Sequence, residues 1–199
     1  MGRRAILRLV AAAAICATPA FAAWQDHAAP HDIERLSYLA EARAAAMREA
    51  EHGAPARDLS AVHAVLNRNT RPVPVAALAG QWRCRTIKLG GMAPSVVYSW
   101  FNCRIGTHDG HAYFEKLSGT QHFGGALYPH ESGGYVFLGG MNWSKDSPAN
   151  YSSSRPSLGA ETTPSDAVGL LSSIGPNVAR IEFPYPAQES TFDVIELRR

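Results

Sequence analysis

The sequence predicts a mainly β protein: an antiparallel up-and-down β-barrel of about eight strands, preceded by an N-terminal α-helical segment. Three observations carry this. From Gly80 onward the chain holds 15 of its 17 glycines. Short apolar and aromatic runs alternate there with Gly, Pro, Asn and Asp clusters, as strands alternate with turns. Most connections are short, and closure removes the exposed edges such a meander would otherwise present. A two-sheet sandwich satisfies the same strand count and stands as the alternative.

The chain opens on residues that predict removal rather than folding. Arg3, Arg4 and Arg8 are followed by an apolar stretch ending in Ala20-Phe21-Ala22, the small–x–small pattern of a signal peptidase site. Cleavage after Ala22 makes 1–22 a signal peptide and the protein periplasmic or secreted. The apolar stretch is too short to span a bilayer, and no later one approaches the ~20 residues that spanning needs. Cys16 follows Ile15, not the small residue expected at a lipoprotein site. Loss of the three arginines takes the formal charge from +2 to −1. A near-neutral chain offers no global attraction to nucleic acid or to an anionic membrane.

Residues 23–75 are expected to form a helical segment ending in a Pro-rich linker, with the barrel domain at 76–199. A helix is predicted from Asp32 as N-cap, with Ile33, Leu36, Ala40 and Met47 on one stripe, closed by Gly53 and Pro55. A shorter one follows Asp58, burying Leu59, Val62 and Leu66. Pro72-Val73-Pro74-Val75 reads as an extended linker. The strands are predicted at 82–89, 96–105, 112–117, 120–128, 135–138, 167–171, 178–183 and 191–197. Gly90-Gly91, Asp109-Gly110, Gly133-Gly134 and Gly175-Pro176-Asn177 supply turns. The segment 141–165, with seven serines and three prolines, is too long for an ordinary barrel loop and is either poorly ordered or a lid.

A first hairpin centred near Ala93 places Cys84 opposite Cys103 and Trp82 opposite Ile105. Directly opposed residues stand ~4.5–5.5 Å apart at Cα, and an oxidising compartment favours joining two such cysteines. The expected disulfide is Cys84–Cys103. The same register sends Arg83, Arg85 and Arg104 to the outer face with Tyr98 and Trp100. They form either an anion site or a solvated face neutralised by neighbours such as Glu115.

Catalytic motifs are lacking: there is no Gly-x-Ser-x-Gly, no phosphate loop and no Cys-x-x-Cys. His130-Glu131 lacks a second zinc-binding histidine. His108, His111 and His122 are candidate metal ligands, although hairpin tips carry such residues routinely. Glu115 and Glu189 are the best acid–base candidates, with nothing to bring them together. The expectation is a non-enzyme with no cofactor and no metal.

The segments 80–90 (GQWRCRTIKLG), 101–105 (FNCRI), 114–121 (FEKLSGTQ) and 189–197 (ESTFDVIEL), with Leu127-Tyr128-Pro129, Phe137-Leu138-Gly139 and Ile174-Gly175-Pro176 between them, resemble the bacterial family catalogued as domain of unknown function 4893. The resemblance covers nearly all of the chain after residue 22 and implies an exported protein, but no activity. Gly80 and Trp82 at the first strand are also similar to the opening of lipocalin-like barrels and of small barrel inhibitors of secreted metalloproteases. The chain departs from the lipocalin pattern because no arginine lies inside the last strand to cover the tryptophan; Arg198 and Arg199 come only at the end. Shared architecture does not imply a shared ligand. The expected function is a non-catalytic binding barrel for a small, apolar ligand. The alternatives are a protein-binding module, such as a protease inhibitor, or an envelope structural protein. Gly124, Gly125, Ala126, Gly139 and Gly140 leave room for a cavity that Trp82, Phe101 and Phe137 would fill.

Overall fold

The computed structural model describes residues 24–142, 150–153 and 165–199. The predicted signal peptide, Trp143 and most of the 141–165 segment lie outside the described residues. Nine strands form one antiparallel sheet: β1 (Gly80–Leu89), β2 (Ser95–Val97), β3 (Phe101–His108), β4 (His111–Lys116), β5 (His122–Pro129), β6 (Tyr135–Asn142), β7 (Ser165–Gly175), β8 (Val178–Pro184) and β9 (Phe192–Arg198). Consecutive strands pair, and β9 pairs back onto β1 from Arg83↔Arg198 to Leu89↔Phe192. Eight strands therefore close a barrel, and β2 adds to the far half of β1. The sandwich is excluded by that closure.

The predicted strand over 96–105 is divided in two. Ile87 pairs with Val97 but Cys84 with Phe101, so four steps on one strand match three on the other, a bulge at Tyr98–Trp100. Before the bulge the pairing lies three residues from the expected register, and beyond it two. Cys84 faces Phe101, Cys103 faces Trp82, and Ile105 faces Gly80. The two cysteines lie on the same inner face as diagonal neighbours and form the disulfide, with Cα atoms 5.9 Å apart.

Helices cover part of the outer wall. They are α1 (Pro30–Ser37), α2 (Leu39–Gly53), α3 (Ala56–Leu66) and the short α4 (Val75–Leu78). The first predicted helix breaks at Tyr38, which resets its buried stripe. Ala42, Ala46 and Ala50 face the barrel, whereas Ala40 is exposed. Alanines at i, i+4 and i+8 let α2 approach the sheet closely. Asp32 is not an N-cap, since Ala29 holds that position without a side-chain bond. Its buried carboxylate instead receives Arg35 at 2.6 Å and the Tyr151 hydroxyl at 2.6 Å. Under α2 and α3, outward Ile87, Leu89, Phe192 and Val194 meet the alanines and Val62, Val65 and Leu66.

A buried charged layer lies beside this seam. Glu182 pairs with Arg180 at 2.7 Å and with Arg43, and Glu196 receives Arg85 at 2.7 Å and Arg198 at 2.5 Å. Arg180 also donates to the carbonyls of Val65 and Leu66, which the end of α3 leaves unpaired, and to that of Arg68 just past it. Among the described residues no helix is long and apolar enough to cross a membrane.

Candidate functional site

The two ends of the barrel differ. At the end where β1 begins, the linker does not run past as an extended spacer. Val73, Val75 and Leu78 pack into the interior, and α4 lies across the opening. Trp82 donates its indole N–H to the Leu78 carbonyl at 2.8 Å. Arg199, one residue past β9, lays its guanidinium 4.0 Å from the Trp82 ring centre and donates to Leu78 and Ala79 carbonyls. The tryptophan is thus covered by an arginine after all, because β9 ends beside the start of β1. The Tyr135 hydroxyl donates to Val73 and completes the seal.

The middle of the barrel is filled. Phe114, Phe123, Phe137 and Phe183 pack with ring centres 4.9–6.3 Å apart in stacked and edge-on pairs. Of the glycines expected to leave a cavity, Gly125 and Gly139 are sockets for these rings. A Cβ on Gly139 would stand 2.3 Å from Phe137 Cζ, and one on Gly169 2.7 Å from the Phe183 ring. Gly124, Ala126 and Gly140 alternate with the inward positions and face out.

At the opposite end a cavity of about 60 Å³ remains, lined by both apolar and ionisable side chains. Its floor is Phe123 and Phe183, with Met141, Ala167 and Ile195 on the wall. Arg35, Thr86, Lys88, Lys116, Gln121, Asp166 and Asp193 form the polar part, and Pro184, Pro186, Ala187 and Gln188 stand over it. Lys88 and Asp193 are direct cross-strand partners. Lys88 donates to Glu189 at 2.7 Å, and its ammonium is held above the ordinary value: burial opposes this, but Glu189 and Asp193 outweigh it. Burial pushes the Asp193 carboxyl up to about 6, against the Ser190 hydroxyl and Lys88, which pull it down. Lys116 is 6% exposed, and burial pushes its pKa down. The overhanging loop contains Tyr185 and Glu189 at φ 44° and 68°, a left-handed conformation uncommon for non-glycine residues and concentrated at functional loops.

The other candidate residues are dispersed. His108 and His111 pair across the β3–β4 turn, but His122 opens β5 at the opposite end, because successive antiparallel strands start at alternate ends. The described residues hold no cluster of three metal-ligating side chains. Glu115 pairs with Arg104 on the outer wall at 3.0 Å, and Glu189 with Lys88 at the mouth, so they do not form an acid–base couple. Arg85 is taken by Glu196 and Trp100, and Arg83 donates to the Trp100 carbonyl at 3.5 Å. Tyr151 belongs to an outer apolar cluster beside α1 and β7 and does not enter the mouth. Sequence reasoning did not single out Lys88, Lys116 and Asp193. Their signal was charged residues at the inward phase of strands whose other inward residues are apolar.

No curated protein and no solved structure matches the chain. The family model described as domain of unknown function (DUF4893) matches residues 24–197, and the chain belongs to that family.

Proposed function

We propose that this protein is an exported, non-catalytic binding barrel whose ligand site is the open mouth lined by Lys88, Lys116 and Asp193. The observation that supports the reading is the asymmetry of the barrel. One end is sealed by α4, Trp82 and Arg199, the middle is packed with phenylalanine, and among the described residues the other end keeps a concave space with an apolar floor and ionisable walls. That combination is the usual chemistry of a small-molecule site. The volume, about 60 Å³, lies well below the ~300 Å³ and more of pockets for drug-sized ligands. The ligand is accordingly small, or only one end of it enters. Export accords with the N-terminal Arg-rich apolar stretch and with a disulfide.

Native mass spectrometry of protein taken from its own cell envelope tests this. A bound species of low mass, lost on unfolding, is the expected result; a bare chain under conditions that preserve weak complexes counts against it. A protein-binding module is favoured by one further observation. Met92 (85% exposed) and Tyr185 (42% exposed) flank a shallow hollow beside the same loop, and a protein adduct in that spectrum would select this reading.

A further inference from the structure

Among the described residues three cations line the mouth, and two of them are neutralised. Arg35 holds Asp32 at 2.6 Å, and Lys88 holds Glu189 at 2.7 Å. Lys116 is different. Its Nζ donates to two backbone carbonyls, Ser118 at 2.8 Å and Gln121 at 2.7 Å, and lies 4.2 Å from the Phe101 ring centre. Among the described residues no carboxylate is within ion-pairing distance of it. Carbonyl dipoles and a ring face solvate an ammonium, but they bring no counter-charge. A buried charge without one is costly, and a partner that supplies it is bound correspondingly well.

The surroundings define that partner further. Lys116 sits directly across from Phe123 in the β4–β5 pair, so the charge borders the apolar floor. Beyond it lie Phe183, Met141, Ala167 and Ile195, which offer an alkyl chain contact but no hydrogen bonds from their side chains. One water needs ~10–15 Å³ of such space, so about 60 Å³ admits only a few non-hydrogen atoms. Resting on the proposed ligand site, we propose that the mouth binds a short-chain monocarboxylate, its carboxylate on Lys116 Nζ and its alkyl tail on the Phe123–Phe183 floor. Asp166 and Asp193, which also line the cavity, and Glu189 at its rim disfavour a dianion, and the paired Lys88 leaves Lys116 as the anchor.

The test is a titration of the full chain with butyrate, 1-butanol and butylamine, followed by amide NMR shifts and by the Lys116 side-chain Cε signal. Butyrate should bind at least tenfold more tightly than 1-butanol, and butylamine should bind no better than the alcohol. Lys116→Met should cut butyrate affinity at least tenfold while leaving the alcohol unchanged. Lys116 also staples the β4–β5 turn; if that variant loses its fold, the wild-type Cε titration decides. Its midpoint should rise when butyrate is bound. Equal affinity for acid and alcohol, or a Lys116 midpoint that butyrate does not move, overturns the carboxylate assignment and leaves the ligand site standing. Binding of none of the three overturns the assignment as well, and a low-mass adduct in the native spectrum would then show that the site itself survives with another ligand.

Discussion

At the mouth of the barrel, Asp193 is packed between Lys88, Ser190 and Phe183, and burial raises its carboxyl from the usual 3.8 to about 6. A carboxyl raised on folding stabilises fully below its unfolded pKa, and the contribution is lost as pH rises through the folded value. The window runs from about pH 4 to about pH 6, and the loss amounts to at most ~3 kcal/mol at 1.36 kcal/mol per unit. Asp193→Asn should therefore be less sensitive to this rise than the wild type. Urea unfolding of both at pH 4 and pH 7.5 measures it; a wild-type-minus-variant difference that stays constant contradicts the assigned burial. Glycine sockets make a second residue-scale prediction. At Gly139 a Cβ would meet the Gly124 carbonyl oxygen at 2.1 Å, and backbone cannot step aside, so Gly139→Ala should cost ~3 kcal/mol or more. Gly106→Ala, where the nearest atom is 4.0 Å away, should stay within ~0.5 kcal/mol. The sequence displays small residues here but not which ring fills the space, since Phe183 reaches Gly169 from a neighbouring strand.

Individual elements were legible to the extent that their signals are local. The strand runs and turn residues placed all eight barrel strands, because inward and outward positions alternate within each strand. Neither the tight β1–β2 turn nor the bulge at Tyr98–Trp100 has such a local mark, and together they set a register two residues from the expected one. The disulfide nevertheless forms, since diagonal neighbours on one face also approach closely enough. The predicted stripe in the first helix holds at Ile33, Leu36 and Met47 but not at Ala40: the break at Tyr38 shifts the phase, and alanines are weak hydrophobic markers even when fully buried. Replacing Cys84 and Cys103 together by alanine should cost ~3 kcal/mol, the value for opening a loop of about twenty residues in the chain-entropy model; thermal unfolding with and without reductant checks it. Deleting 23–75 removes α1–α3 and the plug residues Val73 and Val75. The strand hydrogen bonds do not depend on these helices, so circular dichroism should stay β-rich. The exposed Ile87, Leu89, Phe192 and Val194 should lower the melting temperature and bind a hydrophobic dye, and an unchanged melting temperature would show that the helical cover contributes nothing.

For the whole molecule, closure and polarity of the barrel were readable only in part. Eight consecutive strands with short connections imply closure, and the structure supplies it through β1 and β9. Which end is sealed depends on long-range meetings: Arg199 over Trp82, and the linker prolines turning Val73 and Leu78 inward. No local pattern encodes these, and the charged residues at the other mouth looked like ordinary surface lysines and aspartates. The central claim is that ligands enter at the Lys116 end and nowhere else. The most direct measurement is an amide-resolved NMR screen of the full chain against small acids, alcohols and amines. The account predicts shift changes confined to Thr86, Lys88, Lys116, Gln121, Phe123 and Asp193, with Leu78, Trp82 and Tyr135 unmoved. Changes centred on Leu78 and Trp82, or on the outer wall around Arg104 and Glu115, would contradict it.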